Sequence, residues 1–129
     1  MELNLNLNIT SDSEPRAIAD AIVKTLDSKL AEDIKLLRVE EQTILADYFI
    51  ICCGSSTTQV RALANEIEYQ TGRCGVNPRN MEGVDTANWI VVDYGCVIVH
   101  IFDRQSREFY NLDNLWRDSE NIDLSPLLK

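Results

Sequence analysis

Two runs of β-branched and aromatic residues, Trp89-Ile90-Val91-Val92-Asp93 and Cys96-Val97-Ile98-Val99-His100-Ile101-Phe102, are separated only by Tyr94-Gly95. Runs of this composition around a short glycine-bearing turn specify a β-hairpin. With Tyr94-Gly95 as the turn, Asp93 opposes Cys96, Val92 opposes Val97, Val91 opposes Ile98, Ile90 opposes Val99 and Trp89 opposes His100. Alternation then puts Ile90, Val92, Val97 and Val99 on one face, which is wholly aliphatic and therefore core. The other face carries Trp89, Val91, Asp93, Cys96, Ile98 and His100. An aromatic, a carboxylate and the chain's single imidazole on one face suit a partly wet interface, or a Trp89–His100 cross-strand pair beneath a helix.

A lone hairpin is marginal in water, so it needs further strands and helices to cover it. Asp47 to Cys53 supplies a near-continuous apolar strand, the pattern of a central strand buried on both faces. Ile34 to Val39 reads as another strand, and Gly75 to Met81, despite Pro78, as a short edge strand. Ser13-Glu14-Pro15 starts a helix whose stripe of Ile18, Ala21, Ile22, Thr25, Leu26, Lys29 and Leu30 falls three or four residues apart. Ser56 and Gln59 form a capping box opening a second helix over 57–71, which Gly72 closes. Asp103 to Tyr110 suggests a helical turn, with Leu112, Leu115 and Trp116 as apolar anchors. The expected fold is therefore α/β, a single domain with a mixed sheet of about five strands flanked by helices. Residues 1–12, polar and alternating Leu with Asn, read as a flexible leader, residues 13–118 as the domain and residues 119–129 as a polar tail.

No apolar run approaches the ~20 residues of a membrane-spanning helix, and neither a secretory nor a transit signal opens the chain, which predicts a cytoplasmic protein. Twelve Lys and Arg against 21 Asp and Glu leave a formal charge of −9. That charge repels phosphate backbones, disfavours direct nucleic-acid binding and favours a basic protein partner. The four cysteines, Cys52, Cys53, Cys74 and Cys96, lack CxxC spacing and read as reduced structural thiols. His100 in an apolar strand offers neither a catalytic dyad nor a metal set, and no cofactor is expected. Gly54-Ser55-Ser56-Thr57, between strand and helix, could cradle an anion but reads better as a turn and cap. A nucleotidyltransferase would pair such a turn with two metal-binding carboxylates, whereas the hairpin offers Asp93 alone.

Several short patterns then occur in order. Leu45-Ala46-Asp47-Tyr48-Phe49-Ile50-Ile51, Gly54-Ser55-Ser56, Gln59-Val60-Arg61-Ala62-Leu63-Ala64 and Glu66 are followed by Met81-Glu82-Gly83, the hairpin, and Arg107-Glu108-Phe109-Tyr110-Asn111-Leu112-Asp113-Asn114-Leu115-Trp116. Over residues 16–118 this resembles the Iojap-related ribosomal silencing factor family. The resemblance implies a fold similar to nucleotidyltransferases without their catalytic carboxylates, a homodimer, and no enzymatic activity. It further implies binding to ribosomal protein fourteen of the large ribosomal subunit, blocking of subunit joining and lower translation when nutrients are scarce. Cys96 departs from the Asp usual in such sequences, as do Cys52-Cys53 from a small or hydroxylated pair. The expected docking residues are Trp89, Asp93 and His100 on the hairpin face, Asp47 and Tyr48 at the start of the neighbouring strand, and Tyr94 at the tip.

Overall fold

The computed structural model describes residues 5–128. The elements run α1 (Pro15–Ser28), β1 (Glu32–Arg38), β2 (Tyr48–Gly54), α2 (Thr57–Gly72), β3 (Asn80–Glu82), β4 (Trp89–Asp93), β5 (Val97–Asp103), α3 (Arg104–Tyr110), α4 (Leu112–Leu115) and β6 (Glu120–Asn121). The strands form one six-stranded mixed sheet in the order β3-β4-β5-β2-β1-β6. Among the described residues only β2 and β5 run parallel. This is the α/β single domain with a mixed sheet that the sequence implies, with one strand more than expected.

The extra strand comes from the supposed tail. β6 pairs with β1, Ile122 N donates to Leu36 O at 2.9 Å, and Leu124 is buried. These contacts cover an otherwise open sheet edge. The leader is likewise not separate from the body over its described part. Leu5, Leu7 and Ile9 turn inward while Asn6 and Asn8 face solvent, and Ile9 is buried in the main core.

β2 is central, with every residue from Phe49 to Gly54 buried. Its even-numbered Ile50 and Cys52 join the main core beneath α1 and α2, together with Ile22, Leu26, Leu63, Ile67, Ile90, Val92, Val97, Val99 and Ile101. Phe49 and Ile51 point the other way, into a smaller cluster with Leu37, Val39, Ala46 and Phe102. The helices differ accordingly. α1 and α2 bury a full stripe, whereas no residue of α3 or α4 is buried. Leu112 and Trp116 pack against the smaller cluster as anticipated, but Leu115 is exposed.

Local chemistry explains the joints. Ser56 Oγ accepts the Gln59 N–H at 3.1 Å, while the Gln59 side chain reaches back to Ser55 rather than to Ser56. A Cβ on Gly54 would lie 3.0 Å from both Val60 Cγ2 and Val60 N, so the glycine is there for close strand–helix packing. Pro78 precedes β3, which is therefore shorter than the 75–81 span and starts only where every residue can donate to a ladder.

The hairpin register differs from the expected one. Trp89 opposes Phe102, Ile90 opposes Ile101, Val91 opposes His100, Val92 opposes Val99 and Asp93 opposes Ile98. Tyr94 N donates to Val97 O at 2.8 Å, so the central turn residues are Gly95 and Cys96. Gly95 has φ +87°, and a turn with its first central residue at positive φ selects glycine there rather than Tyr94. Moving the turn by one position shifts each pairing by two residues. The faces survive because side chains alternate with period two.

Candidate functional site

The sheet face away from α1 and α2 is only partly covered, and it is the most aromatic surface of the described residues. Trp89, half-buried at the start of β4, stacks on Phe102 with ring centroids 5.0 Å apart and an interplanar angle of 25°. The Tyr110 ring lies 4.8 Å from Trp89, and Phe109 meets Tyr110 edge-on at 5.1 Å. Deeper in the face, Phe49 packs edge-on against His100 at 5.1 Å and Trp116 at 4.9 Å. The outer rings remain accessible, Tyr110 being 50% and Phe109 79% exposed. Exposed rings held by a rigid stacked base present large apolar area with little entropy left to lose on binding.

His100 lies beneath this surface. Trp89 Nε1 donates to His100 Nδ1 at 3.1 Å. An indole N–H can only donate, so Nδ1 is the unprotonated nitrogen and the neutral ring carries its proton on Nε2. That Nε2 is buried and has no hydrogen-bond partner among the described residues. Burial pushes the imidazole pKa down to about 4, which keeps the ring neutral near pH 7. The expected Trp89–His100 pair therefore exists as a diagonal contact.

The other expected docking residues do not gather there. Asp93 shares the face, but four residues from Trp89 along β4 it lies about 13 Å away. Its Oδ1 accepts Gly95 N–H at 2.7 Å and thereby braces the turn. Asp47 is half-buried before β2, and its N–H, like that of Tyr48, donates to Cys96 O. Tyr48 packs against the main core on the opposite side of the sheet, beside Arg16 in a cavity of about 380 Å³. Tyr94 is no tip residue. Its ring is buried beneath α2, its hydroxyl lies 2.9 Å from Thr71 Oγ1, and burial raises its pKa to about 12. The shift of the turn to Gly95-Cys96 places Tyr94 on the aliphatic face, which is why the tip expectation fails.

Phe109 and Tyr110 are the surface residues that the strand alternation did not identify. The sequence shows two adjacent aromatics at the end of a short helical turn, but nothing local reveals that they meet Trp89. Arg107 fixes this helix to the body. Its guanidinium donates to Asp113 at 3.2 and 2.9 Å, to Asp33 O at 2.5 Å and to Cys53 Sγ at 3.4 Å. Burial opposes the Asp113 carboxylate, yet the hydrogen bonds from Arg107 and Lys35 outweigh it and hold its pKa at about 2. The cleft of about 600 Å³ beside this cluster is lined by both signs of charge, and its Lys35, Arg104 and Arg107 are already paired with carboxylates.

The enzyme alternative fares poorly on geometry. Gly54 pairs with Asp103 at one end of the parallel strands, whereas Asp93 pairs with Ile98, five residues earlier on β5. Glycine turn and carboxylate thus stand about 17 Å apart along the sheet. Among the described residues no group of three His, Cys, Asp or Glu is placed to hold a metal ion.

Residues 12–129 match the family model described as "Ribosomal silencing factor during starvation". The chain belongs to the ribosomal silencing factor family. The ribosomal silencing factor RsfS of Bacillus subtilis is 43% identical over 109 residues, covering 84% of this chain and 92% of that protein. A crystal structure of a Chromobacterium violaceum protein aligns with a TM-score of 0.79 at 30% identity, covering 81% of this chain and 88% of that one. A Bacillus halodurans crystal structure aligns with a TM-score of 0.75 at 32% identity, covering 84% and 99%. The ribosomal silencing factor family is described by a role on the ribosome rather than by a reaction.

Proposed function

We propose that this chain binds the large ribosomal subunit through ribosomal protein fourteen, sterically blocks association with the small subunit and represses translation under nutrient limitation. The observation that carries the reading is the aromatic face of Trp89, Tyr110 and Phe109, an exposed apolar surface on a protein that belongs to the silencing-factor family. Occlusion needs a rigid docking surface and no active site. Aromatic rings supply the bulk of affinity at protein interfaces, and His100 and Phe102 hold Trp89 in place. The formal charge of −9 suits a basic ribosomal partner and speaks against direct RNA contact. The reading places this association in the cytoplasm, as expected from the sequence. No described helix is long and apolar enough to cross a membrane.

Of the residues first singled out, Trp89 and His100 belong to the proposed docking surface, Trp89 by contact and His100 by support. Asp93 and Asp47 lie toward the opposite end of the sheet, near the loop where Ile44 and Leu45 are exposed, and they would touch the partner only if the footprint runs the length of the strands. A homodimer formed through the same rings would compete with the ribosome, so occupancy would rise less steeply with protein concentration than it would for a monomer. Cosedimentation with purified large subunits, challenged by isolated ribosomal protein fourteen, tests the reading. The complex should form and the free ribosomal protein should dissociate it. Failure to sediment with large subunits would refute it.

A further inference from the structure

Phe109 and Tyr110, the outer rings of the proposed docking face, are carried by α3, a seven-residue helix with no buried residue. A helix of that length does not hold itself in water, so its pose is set by what ties it down. At its start Asp103 Oδ1 accepts Ser106 N–H at 2.7 Å, and on the surface Arg104 Nε donates to Glu32 Oε1 at 2.7 Å. Beyond its end Leu112 and Trp116 pack on the smaller cluster. Arg107 is the tie that runs inward from α3 itself. Its side chain is only 11% exposed, and its one guanidinium reaches three other elements: Asp113 on α4, the Asp33 carbonyl on β1 and Cys53 Sγ on β2.

The backbone is bent at two places to make that reach possible. β1 carries a bulge: Glu32 pairs with Cys53 and Lys35 with Ile51, which leaves Asp33 and Ile34 opposite Cys52 alone. Asp33 has φ +48°, a left-handed conformation, and its carbonyl is the one that accepts from Arg107. Asn111, at φ +51°, ends α3 with its N–H donating to Arg107 O at 2.9 Å and turns the chain into α4, so that Asp113 returns to the guanidinium. Two of the four non-glycine residues with positive φ among the described residues therefore serve one side chain. Strain of this kind persists only where the surroundings over-determine it, and it clusters at functional sites. A buried Arg–carboxylate pair adds little net stability, because desolvation offsets the attraction, and its best-attested use is to fix one arrangement among several. The arrangement fixed here is that of two rings, two and three residues further along the same short helix. We infer that Arg107 is a positioning residue of the docking surface: through Asp113 and the Asp33 carbonyl it sets the pose of Phe109 and Tyr110 before the partner arrives, so that little orientational freedom is left to lose on binding. This role rests on the proposed docking reading.

Arg107→Lys keeps a positive charge for Asp113 but loses the planar fork that also reaches the Asp33 carbonyl and Cys53. Cosedimentation titrations with large subunits compare the unmodified chain, Arg107→Lys, Phe109→Ala and the double variant, each checked for folding by thermal unfolding. Arg107→Lys is expected to bind about tenfold more weakly. Phe109→Ala, which should cost about fivefold in the unmodified chain, is expected to cost less than about twofold in the Arg107→Lys background, because a ring no longer held in place contributes little. Fully multiplicative losses, or an Arg107→Lys chain that binds as the unmodified one does, would overturn the inference. Failure of the unmodified chain to bind large subunits refutes the docking reading instead, and the ring pose is then decided without a ribosome. Nuclear Overhauser contacts between the Trp89 and Tyr110 rings, whose centroids lie 4.8 Å apart, should be present in the unmodified chain and lost in Arg107→Lys, with hydrogen-exchange protection of the Ile67 amide unchanged. Their persistence in the folded variant would overturn the inference. If Arg107→Lys does not fold, Asp113→Asn, which leaves one acceptor oxygen for the guanidinium, takes its place in both measurements with the same outcomes decisive.

Discussion

His100 links the stability of the fold to its proposed docking surface. Its ring is 8% exposed, accepts from Trp89 and is pushed down to about 4 by burial. A histidine with a depressed folded pKa stabilises the native state in its neutral form. The contribution is complete above the ordinary value of 6.5. It declines as pH falls, because the unfolded chain takes up the proton first, and is lost by about pH 4. The shift corresponds to about 3 kcal/mol. His100→Gln can still accept from Trp89 and has nothing to titrate. Denaturant unfolding of the two proteins between pH 7 and pH 4 should therefore show a steeper loss in the unsubstituted chain, and parallel curves would contradict the burial account. Asp113 works in a lower window. Its pKa of about 2 stabilises the fold above the ordinary 3.8, and that share disappears as pH falls through 2.

Helix ends and turns decided where expectation and structure agree. The α1 stripe was readable from spacing, but its end was not. Ala31 N donates to Leu26 O and Leu30 N to Asp27 O, a Schellman ending that puts Leu30 at φ +64° and leaves its side chain 78% exposed. Spacing assigns Leu30 to the buried stripe because apolar periodicity carries no information about a left-handed residue. Leu30→Gly should raise stability by about 0.5–1 kcal/mol, the steric relief exceeding glycine's entropic cost, and thermal unfolding measures it. An unchanged or lower melting temperature would contradict this reading. The hairpin teaches the same lesson. Which faces Ile90, Val92 and Trp89 occupy was legible because period two survives a two-residue change of register, while the turn itself depended on the backbone conformation of Gly95. At residues 5–9 the Leu-Asn alternation was visible, but the groove that receives it is assembled from α1 and α2, which no local pattern discloses. The outer part of the candidate docking surface was hidden for a related reason, since Tyr110 reaches Trp89 only after α3 folds back across β5.

The molecule as a whole presents a firm core beneath α1 and α2, a ringed surface on the other side of the sheet and an excess of negative charge. Charge steers encounter more than it sets affinity, so association with large subunits should slow as added salt shortens the screening length from about 10 Å to about 3 Å. Stopped-flow kinetics would show it, and a salt-independent on-rate would remove steering from the account. Affinity should instead reside in the rings. Phe109→Ala is the cleanest probe, because a side chain 79% exposed contributes little to folding. It should weaken binding by ~1 kcal/mol and change stability by less than about 0.5 kcal/mol. Trp89→Ala should cost ~2 kcal/mol or more in binding and should also lower the melting temperature, since its ring stacks on Phe102. The most direct measurement of the central claim is subunit joining itself. Purified protein is titrated into separated ribosomal subunits under joining conditions, and the joined peak is followed on a sucrose gradient alongside the protein bound to the large subunit. The joined peak should fall in proportion to large-subunit occupancy, and Phe109→Ala should shift the titration to higher concentration. Undiminished joining with the large subunit saturated would contradict silencing by occlusion.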